Sequence, residues 1–280
     1  MKLDSLEWHE EVARLFENSG SPALPALLTR ALEKIAPFDG MIITTYRNRE
    51  KPAHLYDNYD PERRKICVNA YLDGAYLLDP FYHACAQGAA SGFHRLQDLA
   101  PDNFRNSEYY RSYYARTGES EEAGYFVQFP GALTVVVSMA RRRNRPVFTR
   151  RTLDKFRAIE PVVRAIVRHH WGGVADTLAR GGAQQPGLVP MGGQLEMAFR
   201  NFGSSVLTGR ECEIVRLVLR GHSSKSIARC LKVSLGTVKI HRKHIYKKLH
   251  ISSQAELFSL FLSTLSRATE MGAGRSRRAR

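Results

Sequence analysis

Residues 206–265 constrain the fold more than any other stretch of this chain, because caps, turns and apolar faces for four short helices can all be read there. Thr208-Gly-Arg-Glu211 is a capping box. The threonine accepts from the third helical amide, and the glutamate reaches back to the capping residue. Ile214, Leu217 and Val218 supply an apolar face behind it, and Gly221 ends the helix. Ser223 caps a second helix, SKSIARCLK, and the turn VSLG follows. Ser234 caps a third helix, GTVKIHRKHIYKKLH. Ser253-Gln-Ala-Glu256 is a second capping box, which opens the apolar run SQAELFSLFLSTL.

Within Ser224–Lys243 the spacing is that of a helix-turn-helix. Ile227, Leu231, Val233 and Val238 hold the apolar positions that lock two crossing helices, and Ala228 is small where they approach. In such a pair the first helix crosses the DNA backbone and the second enters the major groove. On the third helix Val238, Ile245 and Leu249 share one face at helical spacing, which leaves Lys239, Arg242, Lys243, Tyr246 and Lys247 to meet a polyanion. The charge distribution agrees. Residues 200–280 carry 17 Lys and Arg against 4 Asp and Glu, whereas residues 1–199 carry 25 against 23. The basic surface is therefore C-terminal.

The stretch LTGRECEIVRLVLRGHSSKSIARCLKVSLGTVKIHRKHIYKKLHISSQAEL resembles the LuxR/FixJ-type DNA-binding domain. It matches at LTxRE, at Gly-His-Ser, at IA-x2-L, at V-S-x2-TVK-x-H-x3-I-x2-KL and at SxAEL. Gly209 departs from the family's usual proline, which makes the start of the first helix less rigid. The resemblance implies a four-helix, all-α domain that binds double-stranded DNA. It implies that Lys239, Ile240 and Lys243 face the major groove and that Thr237, Arg242 and Lys247 suit phosphates. It also implies a homodimer formed through the fourth helix, palindromic sites, and RNA polymerase as a further partner.

Upstream the pattern changes. Residues 3–19 and 22–36 read as amphipathic helices, and GMIITTYR (40–47) and PAHLYDNY (52–59) as strands. Pro61–Leu78 and Asn103–Arg116 read as helices, and 123–142 as a hairpin turning at Pro130-Gly131. Thr149–Trp171 reads as one long amphipathic helix. This order predicts an α+β domain with an antiparallel sheet. Gly172–Gly193 holds seven glycines and two prolines and reads as a linker. We therefore expect a ligand-sensing and dimerisation domain at 1–175 and a flexible linker at 176–200. The helix-turn-helix domain then occupies 201–268, and a basic tail 269–280.

Order and length of the first domain resemble the GAF/PAS-like autoinducer-binding domains of LuxR-type receptors, through a helical segment ending at Asp79-Pro80, a hairpin, and a long last helix. In those receptors the aspartate binds the amide of an acyl-homoserine lactone, with aromatic residues where this chain has Ile66, Ala70 and His94. Most of the lactone set is therefore missing. A small-molecule site is still expected, because 15 of the 27 aromatics lie between Tyr56 and Phe129. Such pockets combine apolar walls with a few placed polar groups. The candidates are Tyr71, Tyr76, Asp79, Tyr82 and Phe93, for an unidentified ligand. Tyr109, Tyr110, Tyr113 and Tyr114, at helical spacing, read as an interface stripe.

Other classes are disfavoured. A phosphoreceiver needs acidic residues after its first strand, whereas GMIITTYR runs into basic ones. No phosphate loop, nucleophile elbow or paired metal motif is present, so no catalytic residue, metal or cofactor is expected. Cys67, Cys85, Cys212 and Cys230 lie far apart, as reduced thiols do. No run is long enough for a membrane span, and MKLDSLEWHEE lacks the shape of a signal peptide, so a cytoplasmic location without membrane contact is expected. The alternative is a constitutive DNA-binding regulator whose first domain only dimerises or docks a protein partner.

Overall fold

A computed structural model describes residues 1–107, 109–180, 197 and 199–264. They form two compact units. The first comprises Met1–Asn69, Ala84–Leu99 and the described part of Gly118–Gly187. The second comprises Ala70–His83, Ala100–Thr117 and the described part of Leu188–Arg280.

The first unit is built on a five-stranded antiparallel sheet in the order β2-β1-β5-β4-β3. Its strands are β1 (Gly40–Arg47), β2 (Ala53–Asp57), β3 (Gly92–Arg95), β4 (Glu119–Phe129) and β5 (Leu133–Arg142). Alternate residues of a strand share a face. Met41 and Ile43 on β1, Tyr125 and Val127 on β4, and Val135, Val137 and Met139 on β5 accordingly enter one core. Against it lie α1 (Leu6–Glu17) and α2 (Leu24–Ile35), through Leu15, Leu28 and Leu32. The later helices α7 (Arg150–Ala158) and α8 (Glu160–Arg180) add Phe156, Val163 and Ile166. The α+β expectation therefore holds, with five strands rather than the four anticipated.

Several details differ from the sequence reading. The helix from Pro61, here α3 (residues 61–72), ends early and contains a π-turn at Lys65–Asn69. Gly74 then takes φ +143, and Ala75–Leu78 form a separate 3-10 turn before α4 (Pro80–Ala86). Residues Gly92–Arg95 are a strand too short for an alternation pattern to register, and α5 (Leu96–Leu99) follows. The helix expected at Asn103 is instead a 3-10 turn at Phe104–Asn106, followed by α6 (residues 109–117). The long helix expected from Thr149 breaks at Ile159, because Pro161 has no amide with which to continue it. It then runs on through Gly172 and Gly173 to Arg180. Residues 181–196 of the expected linker and the 269–280 tail lie outside the described residues. Among the described residues no helix is long and apolar enough to cross a membrane.

The second unit holds α9 (Gly209–Arg220), α10 (Ser224–Leu231), α11 (Leu235–Lys248) and α12 (residues 254–264). Ile214, Ile227, Val238, Ile245 and Leu257 are almost wholly buried among them. Phe199 and Phe202 pack edge-on against Phe261, with ring centroids at 5.4 and 5.5 Å, and so hold α12 to the residues that precede α9.

Candidate nucleic-acid interface

The caps read from the sequence set the directions of the helices. Thr208 accepts from the Glu211 amide at 3.3 Å, and Glu211 accepts from the Thr208 amide at 2.8 Å. Glu211 is 3 % exposed and also receives Lys248 Nζ at 2.7 Å, which ties the far end of α11 to the start of α9. Ser223 caps α10 by accepting from the Ser226 amide at 3.1 Å, and Ser234 caps α11 by accepting from Thr237 at 3.0 Å. Between them Lys232 takes φ +53, a left-handed position that glycine fills most easily. Arg210 closes the same turn by donating to the Leu231 carbonyl at 2.8 Å. At the last helix the box differs in one bond: Glu256 accepts from the Ser252 amide rather than from that of Ser253.

On α11, Val238 and Ile245 are buried, and Leu249 just beyond it is half-buried. Lys239, Ile240, Lys243 and Lys247 are exposed, Ile240 by 58 %. Residues four apart on a helix are neighbours, so Lys239, Lys243 and Lys247 make one cationic row with an apolar side chain beside it. Thr237 is half-buried, its hydroxyl 2.8 Å from that of Ser234. Arg242 is engaged within the protein. It donates to Ser224 Oγ at 3.0 Å and to the Tyr246 hydroxyl at 2.9 Å, and so braces α11 against the start of α10.

Four of the five ligand candidates come together in the second unit. The Tyr71 hydroxyl donates to Asp79 Oδ2 at 2.6 Å, and the Phe81 amide to Oδ1 at 2.9 Å. Tyr76 packs edge-on against Tyr71 and Tyr82, with ring centroids at 6.3 and 5.1 Å. All four are buried. Burial raises the Asp79 carboxyl to about 6, against the bonds from Tyr71, Phe81 and Tyr82 that favour its charged form. Phe93 does not join them. It lies on β3 in the first unit, between Tyr125 at 5.2 Å and Phe156 at 5.7 Å. There His94 packs against Phe126 with tilted rings, centroids 4.6 Å apart.

The tyrosine stripe is packed inward at two of its four positions, with Tyr110 and Tyr113 half-buried. Tyr109 and Tyr114 are buried, and Tyr110 and Tyr114 lie on Phe104 at 5.6 and 5.7 Å. Sequence reasoning missed a polar cluster in the first unit. Buried Glu119 accepts from Tyr59 at 2.9 Å and from Arg63 at 3.2 Å, and burial and that carboxylate push the Cys67 thiol up to about 12. The only sequence signal for it was the acidic start of a strand. Among the described residues no group of three His, Cys, Asp or Glu could hold a metal ion.

Comparison with known proteins gives a consistent result. Residues 205–261 match the family described as bacterial regulatory proteins, luxR family. An HTH-type transcriptional regulator from the exeN 3' region of Aeromonas salmonicida is 34% identical over 187 residues, which is 67% of this chain and 94% of that protein. The monoamine regulon transcriptional regulator of Klebsiella aerogenes is 26% identical over 255 residues, 89% of this chain and 94% of that one. Among solved structures, the VqsR LBD domain of Pseudomonas aeruginosa superposes with a TM-score of 0.53 at 25% identity, covering 60% of this chain and 98% of that one.

Proposed function

Because this chain belongs to the luxR family of bacterial regulatory proteins, as a DNA-binding transcriptional regulator rather than an enzyme, we propose that its hold on DNA is gated by a small molecule that docks on Asp79. The observation that carries this reading is the buried pair of Asp79 and Tyr71 walled by Tyr76 and Tyr82. A carboxylate has about four acceptor positions, and the Tyr71 hydroxyl with the Phe81 and Tyr82 amides takes three of them, which leaves room for one ligand N–H. Aromatic faces beside a carboxylate suit an amide or a cationic amine. The likeness to the VqsR LBD domain supports a ligand-binding role for the residues it covers. The name of the Klebsiella aerogenes relative puts monoamines among the molecules to try.

In this reading Lys239, Ile240 and Lys243 read base edges, while Thr237 and Lys247 meet phosphates. Arg242 meets a phosphate only by exchanging its present partners for it. Two copies acting on a palindromic site, and a contact with RNA polymerase, belong to the same proposal and rest on the family. So does the division at 176–200 between sensing and DNA-binding parts.

The test is thermal unfolding of the full chain with panels of monoamines and acyl-homoserine lactones, alongside Asp79→Asn. A ligand that binds only the folded chain raises its stability, by about 2.7 kcal/mol at a hundredfold excess over Kd. The expected result is a rise with an N–H-bearing compound that Asp79→Asn abolishes, and none with the common lactones. Equal shifts in both proteins would remove Asp79 from the site. A failure of every compound, together with unchanged operator binding, would favour the constitutive regulator.

A further inference from the structure

The turn that opens α10 is already occupied by an acid from far upstream. Asp102 Oδ2 accepts from the Ser223 hydroxyl at 2.6 Å and Oδ1 from the Ser223 amide at 3.0 Å. The Asn103 amide donates to the Gly221 carbonyl at 3.2 Å. The fit is close: a Cβ on Gly221, whose φ is +96, would lie 3.0 Å from the Ser107 side chain and 3.3 Å from the Phe104 backbone. Burial alone would raise the Asp102 carboxyl. The Ser223 bonds, with His222 and Arg229 nearby, outweigh it and hold the group below the usual range, so it sits there as an anion.

What Asp102 imitates follows from the part it touches. The first helix of a helix-turn-helix crosses the DNA backbone. Helix N-termini and serine hydroxyls are standard phosphate donors, because the first amides of a helix have no acceptor within it and the helix dipole favours an anion there. Here the next residue, Ser224, accepts from Arg242 of the recognition helix at 3.0 Å, so this end of α10 lies on the basic side. We propose that Asp102 is an intramolecular stand-in for a DNA phosphate, and that tight DNA binding requires residues 100–107 to leave the Ser223 turn.

A packed route leads from the ligand candidates to this contact. Tyr71 lies 6.3 Å from Tyr113, Tyr113 5.5 Å from Tyr109, and Tyr109 5.9 Å from Phe104, ring centroid to ring centroid. Release of the brake by a molecule at Asp79 would travel along these rings. That extension rests on the ligand reading above, whereas the brake itself does not.

The test measures DNA binding by the full chain, with no small molecule added. The probe is a random-sequence duplex of about 30 base pairs, titrated across a salt series. Asp102→Asn and Asp102→Ala should tighten binding about fivefold to tenfold. The slope of log affinity against log salt should steepen by about one, because a phosphate takes the vacated donors. Glu213→Gln, on the exposed side of α9, makes the same change in net charge and should alter affinity less than twofold. In the Asp102→Ala background, Ser223→Ala should return affinity toward the starting value. Asp102 variants that match Glu213→Gln, or that bind more weakly, would overturn the proposal. Should Asp102→Ala loosen α10, seen as faster amide exchange there, Asp102→Asn decides, since it keeps the shape and loses the charge. If a monoamine that stabilises the chain through Asp79 tightens DNA binding as much in Tyr113→Ala as in the wild type, the aromatic route fails and the brake stands.

Discussion

Glu211 is the residue on which the orientation of the recognition helix rests, and its removal gives a prediction with a definite size. Its carboxylate accepts from the Thr208 amide, the Thr208 hydroxyl and Lys248 Nζ at 2.8, 3.0 and 2.7 Å, and the residue is 3 % exposed. A hydrogen bond with one charged partner contributes about 1.5–3 kcal/mol net, and loss of a helix cap costs about 1 kcal/mol. Glu211→Ala should therefore destabilise the helices by about 3–4 kcal/mol. Glu211→Gln keeps the volume and can still accept from Thr208, so it should cost about 1.5–2 kcal/mol. A segment of this size is stabilised by on the order of 3–9 kcal/mol in all, so the alanine variant would leave α9 and α11 marginal. Both tryptophans, Trp8 and Trp171, lie in the first unit, so indole fluorescence does not report these helices. Amide exchange does. Protection of α9 and α11 should fall by about 100- to 700-fold in Glu211→Ala, at 1.4 kcal/mol per tenfold, while β1 and β5 keep theirs. Burial raises the Glu211 carboxyl, but the bonds from Lys248 and Thr208 outweigh it, so the folded group stays ionised to lower pH than the unfolded one. Its contribution is therefore present above the usual carboxylate range and lost as pH falls through the folded value, in the wild type but not in Glu211→Gln. A loss of protection below fivefold in Glu211→Ala, or an equal acid response in both proteins, would refute this account.

Two further outcomes are expected. Lys243→Ala and Lys239→Ala should lower the ratio of operator to random-DNA affinity by about 1–3 kcal/mol per base contact, whereas Lys247→Ala should weaken all DNA alike and flatten the salt slope by about one; unchanged operator binding in both Lys239→Ala and Lys243→Ala would remove α11 from the groove. Asp79 is raised from its usual 3.8 to about 6, so its protonated form stabilises the fold fully below the unfolded value. That stability, about 3 kcal/mol, should be lost as pH rises from about 4 through 6 in urea unfolding, and Asp79→Asn should show no such loss; a wild type as flat as the variant would contradict the burial argument.

How far the sequence carries depends on whether the determinants are local. The caps at Thr208, Ser223 and Ser234 and the faces of α9 to α11 are set by residues a few positions apart, and each forms as expected. The β4–β5 hairpin was legible for the same reason. The breaks at Gly74 and Ile159 had sequence signals, a glycine and Pro161, which apolar periodicity across them outweighed. Arg242 looked like any exposed helix cation. Tyr246, one turn on along the same helix, was within reach of sequence spacing, but Ser224, 18 residues before Arg242, becomes a partner only once α10 and α11 cross.

Asp102 shows the same limit at longer range, because it meets Ser223 121 residues further along the chain. No periodicity links the two, and Asp102 lies in a stretch whose sequence suggested only the start of a helix. Yet the contact groups 100–117 with the DNA-binding helices, as does the presence of Ala70–His83 in that unit. The aspartate proposed to meet a ligand and the helix pair that meets DNA therefore belong to one packed body, joined by the rings of Tyr71, Tyr113, Tyr109 and Phe104. A signal between them need not cross the β-sheet. It needs only a choice, at the Ser223 turn, between a carboxylate from the chain itself and a phosphate from DNA. Both anions use the same two donors, so occupancy by one excludes the other, and a differential hold of a few kcal/mol is enough to set which prevails.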